Sequence, residues 1–355
     1  MASTPSDNFE DNLSESDSSV AEFEHQRHGF LGNLQHFLHG NPAMVPVIIL
    51  IMSIAVFGLL AGGRFFSLFN LSLIMQQVAI VGILACAQTL IILTAGIDLS
   101  VAAIMVLSYV IMGHLSVTYG LPTSFAILCG LAVAMLCGAI NGLLVTRIKL
   151  PPFIVTLGTW RIFLAVVYLY TGSQSIRSQD IDAAAPLLKF FGERVNIGGA
   201  VFTYGVFLMI FVFILFWYLL NRTAWGRHVY AVGDDKDAAE LSGIRSDRLL
   251  LSVYVVAGLI CGIGAWAAIG RVGSVSPSSF VDANLDSITA VVIGGTSLFG
   301  GRGAIQGSLF GALIVGVFSS GLKLAGADPQ WELFAIGCLI IAAVALDQWI
   351  RRVST

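Results

Sequence analysis

The sequence predicts an all-α integral membrane protein of about ten transmembrane helices, some of them discontinuous, with both termini on the cytoplasmic side. Three observations carry that prediction. The chain is 57% hydrophobic and only 11% charged, against the ~25% charged residues of an ordinary soluble domain. Apolar runs recur along its 355 residues after about residue 43, and lipid is the solvent that tolerates such a surface. Glycines and polar residues interrupt some of those runs, and irregular backbone at membrane depth survives only where it is buried in protein or lines a cavity.

Taken in order, residues 1–42 form a tail, 43–350 the transmembrane domain and 351–355 a short C-terminal tail. The first 24 residues hold seven acids (Asp7, Glu10, Asp11, Glu15, Asp17, Glu22, Glu24), no lysine or arginine and many serines. That is a disordered-tail composition and the opposite of the positive start of a signal peptide. Phe30, Leu31, Leu34, Phe37 and Leu38 then have the spacing of an interfacial amphipathic helix. Ten apolar segments follow, near 44–61, 71–94, 99–119, 123–146, 152–171, 200–220, 249–270, 283–299, 304–325 and 331–349. Each approaches the length that crosses ~30 Å of hydrocarbon, and the eighth and ninth are the most interrupted. With both termini inside, eleven lysines and arginines fall in internal segments and five (Arg64, Arg177, Lys189, Arg194, Arg271) in external ones, the asymmetry expected of that orientation. The external loop near 172–199 suits a short surface helix. The internal loop, 221–248, contains a helix over Asp235–Ser242 stopped by Gly243.

Several classes are excluded. The net charge is −3 with no clustered basic patch, so no nucleic-acid partner is implied. All five cysteines lie in apolar runs without CxxC spacing, which makes them small hydrophobes rather than disulfides or metal ligands. No lysine follows a glycine, so a phosphate-binding GxxxxGK[ST] loop is absent, as are HExxH and GxSxG. An enzyme is not expected, and no cofactor is implied. Glycines at Gly130, Gly138 and Gly142, at Gly258 and Gly262, and at Gly307 and Gly311 have the small-xxx-small spacing that brings membrane helices close.

Two polar breaks are the candidate functional features. The first is Thr94–Ser100, where Asp98 and Ser100 precede a helical run and Asp98 suits an N-cap. It reads either as a short cytoplasmic turn or as a discontinuous helix turning polar groups into a pathway. The second is Gly294–Gly303, with five glycines, read as a hinge or tight reversal with Asp286, Thr289, Thr296 and Gln306 clustered nearby. Gln88 and Asn141 are neutral donors and acceptors suited to an uncharged polyhydroxylated substrate, or equally to interhelical bonding. The candidate pathway residues are therefore Gln88, Asp98, Asn141, Asp286 and Thr296. In the internal loop, a short helix with small residues on one face and a glycine stop reads either as a contact for a groove on a partner or as a solvated loop helix.

At that loop the sequence resembles a known family. Asp237–Ala238–Ala239 followed by Gly243 is similar to the Glu-Ala-Ala…Gly coupling loop of ABC importer permeases, with Asp for the usual Glu. The monosaccharide-permease branch, typified by ribose, xylose and fructose importers, is matched more closely. Its signatures are Leu93–Val101, Asn141–Gly142, Pro152–Gly158, Thr223 with Gly226–Arg227, and Gly294–Gly303, in order along the chain. Two departures are Ala95 and Ala102, where the family commonly has glycine. The resemblance implies a bacterial inner-membrane permease subunit working by alternating access as a homodimer within the membrane lipid. A separate ABC ATPase subunit, in this branch often a double-cassette chain, would dock through Gly226, Arg227, Asp237, Ala238, Ala239 and Gly243. A periplasmic sugar-binding protein would deliver the cargo. The alternatives are an ion-coupled secondary sugar transporter titrating Asp98 or Asp286, and an ABC permease for a nucleoside or branched-chain amino acid.

Overall fold

The computed structural model describes residues 44–351. The acidic tail, the interfacial helix expected near Phe30–Leu38 and residues 352–355 lie outside the described residues. Among the described residues eight helices are long and apolar enough to cross a membrane. At their centre are α2 (Leu68–Leu93) and α3 (Val101–Gly113), the latter continued by a π turn over His114–Thr118. Every residue of α2 from Gly82 to Leu93 is buried, as befits a helix that is apolar all round. The Ser67 hydroxyl starts α2 by accepting the Asn70 N–H at 3.2 Å.

Other helices wrap this pair. α4 (Thr123–Thr146) and α10 (Ser246–Val272) cross on glycine. A methyl group on Gly138 would lie 2.2 Å from the Tyr254 carbonyl oxygen, and one on Gly258 2.3 Å from that of Ala134. The spacing read from the sequence thus produces direct backbone contact. α1 (Met44–Ala61), α5 (Pro152–Thr171) and α7 (Tyr204–Arg222) lie outermost. They expose Leu59, Leu169 and Phe211, an apolar surface matched to lipid. α1 is anchored by Phe57, which meets Phe318 edge-on at 5.1 Å and sits over Gly321.

The external loop carries the expected short helix, α6 (Ser178–Ala184), followed by a 3₁₀ turn over Pro186–Gly192. It also carries an unexpected hairpin. β1 (Arg194–Ile197) pairs antiparallel with β2 (Ala200–Thr203), Arg194 opposite Thr203. Gly198 and Gly199 close it at φ 60° and 94°, the left-handed pair that a two-residue hairpin turn demands.

The eighth apolar segment differs from its expected 283–299. Helix α11 covers only Ala283–Ile293, 11 residues, about 16 Å and too short to cross the hydrocarbon. The chain then turns through the glycine-rich stretch. The ninth segment is a full helix, α12 (Ile305–Leu324), and α13 (Pro329–Arg351) completes the series. Cys86, Cys137 and Cys261 are buried and free, while Cys129 is half-buried and Cys338 exposed. No cluster of metal-binding side chains occurs among the described residues.

Candidate functional site

The first break begins where α2 ends. The Gly96 N–H donates to the Ile91 carbonyl at 3.1 Å and the Ala95 N–H to that of Ile92 at 3.0 Å, the paired bonds of a Schellman motif. Ala95 holds the left-handed position of that motif, at φ 59°. One of the two departures from the resembling family therefore falls where glycine is the unstrained choice.

Asp98 does not cap α3, as the sequence had suggested; Ser100 occupies the N-cap position. The Asp98 carboxylate instead accepts the Ser100 N–H and the Ser100 hydroxyl, both at 2.6 Å. A short acidic side chain two residues ahead reaches that N–H first, in a local turn of its own. Three helices then take up what the break leaves free. The Asn141 amide on α4 donates to Ser100 Oγ at 2.8 Å. Thr156 on α5 donates to the Ile97 carbonyl at 3.0 Å, and Asn284 on α11 to that of Leu99 at 3.2 Å.

Gln88, Asp98 and Asn141 are at most 1% exposed. Both amide atoms of Gln88, the Oδ1 atoms of Asn141 and Asn284, and the hydroxyls of Tyr254 and Thr296 have no protein partner. Buried polar atoms normally find one, so this part of the molecule holds polar capacity that its own fold does not use.

The second break ends α11 in the same way. The Thr296 N–H donates to the Val291 carbonyl at 3.2 Å, the Gly295 N–H to that of Val292 at 3.0 Å, and Gly295 is left-handed at φ 80°. Bonds from Ser297 N–H to the Arg302 carbonyl (2.9 Å) and from Gly300 N–H to the Ser297 carbonyl (3.1 Å) fold the rest. This is the tight reversal read from the sequence. Helices α11 and α12 touch through their backbones: a methyl group on Gly311 would lie 1.8 Å from the Ala290 carbonyl oxygen, and one on Gly307 2.0 Å from that of Gly294.

The expected cluster of Asp286, Thr289, Thr296 and Gln306 does not form. Asp286 is in the first turn of α11 and Thr296 beyond its far end. Asp286 lines a separate cavity of about 30 Å³ with Gln77, Ser319 and Glu332. The Thr289 hydroxyl bonds the Leu285 carbonyl of its own helix at 2.7 Å. Gln306 is exposed, and Thr296 packs on Gly303.

The internal loop folds as α8 (Ala224–Asp234) and α9 (Lys236–Leu241). Thr223 caps α8 by accepting the Gly226 N–H at 3.2 Å. Gly226 lies so close to Leu220 that a methyl group would approach its carbonyl oxygen to 2.1 Å. Val229, Val232 and Gly233 face inward, while Arg227 and His228 are exposed. The Asp235 carboxylate caps α9, accepting the Ala238 N–H at 2.9 Å, and Gly243 ends it at φ 87°. On α9 only Ala239 is buried; Asp237, Ala238 and Glu240 are exposed, and Leu241 is 91% exposed. The exposure of Leu241 was not read from the sequence, where its signal was one large apolar residue on a helix otherwise made of charged residues and alanines. A cavity of about 650 Å³ opens between α9 and the ends of α2, α4 and α10, with Tyr254 in its wall.

The loop and the two breaks meet at one point. The Gly301 N–H donates to the Leu93 carbonyl at 3.0 Å. A methyl group on Gly233 would lie 1.8 Å from that same carbonyl oxygen and 2.7 Å from the Gly301 nitrogen. One on Gly300 would come within 2.5 Å of the Gly233 oxygen and 2.7 Å of the Ala95 Cβ. The Tyr230 hydroxyl adds a bond to the Gly303 carbonyl at 3.0 Å. Burial pushes that phenol above its ordinary range, which keeps it protonated as a donor.

Residues 70–344 match the family model described as branched-chain amino acid transport system / permease component. The chain belongs to this family. Among curated proteins it is 60% identical to the fructose import permease protein of Rhizobium meliloti over 353 residues, 99% of this chain and 98% of the relative. It is 37% identical to the ribose import permease protein of Bacillus subtilis, over 79% of this chain and 84% of that one. Identity to the D-allose transport system permease protein of Escherichia coli is 34%, over 86% and 91%. No solved structure matches significantly. With its apolar spans, the chain is a multi-pass bacterial inner-membrane permease, a transporter component and not an enzyme.

Proposed function

We propose that this permease is the membrane-spanning subunit of an ATP-driven importer that moves a monosaccharide of the fructose, ribose or xylose class by alternating access. The relatives supply the sugar class: the family description speaks of branched-chain amino acids, yet the relatives compared above are named for fructose, ribose and allose. An ion-coupled carrier is the less favoured reading, because two of them are named import permeases and the third a transport system permease.

The observation that carries the reading is the geometry of α9. It is a capped helix held by one buried residue, Ala239, that presents Ala238 and the bare Leu241 outward. An exposed leucine beside a small residue fits a groove on a second protein. The partner is a separate ATPase subunit, since this chain has no phosphate-binding loop. A periplasmic binding protein would present the sugar, and a second permease copy would complete the pathway. Gln88, Asp98, Asn141, Thr296 and Asp286 are its proposed polar residues. Neutral amides with unused hydrogen-bonding capacity suit a cargo of hydroxyl groups that must bind weakly and leave.

The test is Leu241→Asp beside Ala238→Glu. Both residues are exposed, so the variants should reach the membrane at normal levels. Copurification of the ATPase and ATP-dependent uptake of radiolabelled fructose should both fall by about tenfold or more, as loss of an interfacial anchor does. Normal uptake by either variant would sink the assignment of α9.

A further inference from the structure

Beyond docking at α9, the place where the loop meets the two breaks has a mechanical consequence, which rests on the coupling reading just given. We infer that Gly233, Gly300 and Gly301, fastened by Tyr230, form a backbone clasp that makes the cytoplasmic loop move both broken helices as one body. These are positioning residues: none needs to touch cargo or nucleotide.

Three facts support this. The contacts are between main chains. The Gly233 backbone packs directly against the hydrogen bond that the Gly301 nitrogen donates to the Leu93 carbonyl. A side-chain contact can slip by changing rotamer, whereas packed backbone moves only if the helix moves with it. The position is also right for a lever. Only Asp234 and Asp235 separate Gly233 from α9, while Leu93 ends α2 and Gly300–Gly301 joins α11 to α12. Finally, Tyr230 on the same helix face bonds the Gly303 carbonyl, a second attachment that opposes rotation about the first. A rigid-body shift of α8 and α9 would thus be delivered to both breaks, beside the unpartnered oxygens of Asn141, Asn284 and Thr296.

The experiment uses the complete transporter, permease with its ATPase and binding protein, in proteoliposomes, and follows radiolabelled fructose and ribose uptake together with ATP hydrolysis. Gly233→Ala places a methyl group against the Leu93 carbonyl; Tyr230→Phe removes one hydrogen bond and only the hydroxyl oxygen. For both, ATPase copurification and hydrolysis stay at the wild-type level while sugar carried per ATP falls, by about tenfold for Gly233→Ala and about threefold for Tyr230→Phe. If Gly233→Ala does not accumulate, Tyr230→Phe decides alone. Unchanged sugar per ATP in Tyr230→Phe overturns the clasp, and so does a fall in ATPase copurification equal to the fall in uptake, because the loop would then be only a docking scaffold. Ala238→Glu separates the two ideas. If it transports normally, the coupling reading has failed; if it is inactive while the clasp variants behave as wild type, the clasp alone has failed.

Discussion

Helix α2 stops with Gly96 bonded to Ile91 and Ala95 to Ile92; α11 stops with Thr296 bonded to Val291 and Gly295 to Val292. Beyond those matched ends the two breaks are secured by opposite means. The first is held by side chains: Asp98 grips Ser100, Asn141 reaches Ser100, and Thr156 and Asn284 take the Ile97 and Leu99 carbonyls. The second is held by the lack of them, with Gly294, Gly307 and Gly311 letting α11 and α12 meet backbone to backbone. A hydrogen-bonded break can exchange partners at a net cost of about 1 kcal/mol per bond. A close-packed one tolerates no added atom without separation of the helices. Beyond the end of α2 the first break thus rests mainly on exchangeable side-chain bonds, and the α11–α12 contact at the second mainly on close backbone packing.

The largest effect expected from this contrast is at the close-packed break. Gly311→Leu would drive a side chain into the Ala290 carbonyl, where even a methyl group would lie 1.8 Å away. Forced overpacking of that kind should cost about 3 kcal/mol or more. Detergent-solubilised protein should unfold at a clearly lower temperature or fail to accumulate. A wild-type melting profile would mean that the α11–α12 contact is looser than described.

At the side-chain-held break the effect should be smaller and graded by chemistry. Asp98→Ala leaves the buried Ser100 N–H and hydroxyl without their acceptor, at a cost of about 1–3 kcal/mol. Asp98→Asn keeps a carbonyl oxygen in the same place and should lose less than half as much. Thermal melts of the two variants side by side make the check. Equal losses would show that the charge, and not the acceptor, orders the start of α3.

How legible these regions were follows from the range of the physics involved. The spans could be read because crossing lipid demands long apolar runs. The capacity of α4 and α10 for close packing could be read because Gly138–Gly142 and Gly258–Gly262 have small-xxx-small spacing, although which helices would meet was not legible. The limits of α9 were readable because the Asp235 cap and the Gly243 stop are local chemistry. The shortness of α11 was hidden, since Leu298 and Phe299 continue the apolar composition after the backbone has turned. The grouping of Asp286 with Thr296 failed because Asp286 sits in the first turn of α11 and Thr296 beyond its far end, so the length of that helix separates them. The meeting of Leu93, Gly233 and Gly301 left no local signal, because its members are far apart in the chain and the contact is between backbones.

The finest distinction between the breaks is one methyl group. Ala95 and Gly295 hold the same left-handed position of the same motif, at φ 59° and 80°. An alanine there carries about 1 kcal/mol of strain, and glycine gives part of that back through its greater freedom in the unfolded chain, about 0.4–1 kcal/mol. Ala95→Gly should therefore raise stability by a few tenths to about 1 kcal/mol, and Gly295→Ala should lower it by a similar amount. The Ala95 Cβ also lies on the Gly300 backbone, so its removal forfeits some packing and keeps the gain at the low end. Differential melting of the reciprocal pair, with fructose uptake measured alongside, sharpens the comparison. A loss of stability in Ala95→Gly would show that the Ala95 methyl group, by packing on Gly300, supports the fold more than its backbone conformation strains it.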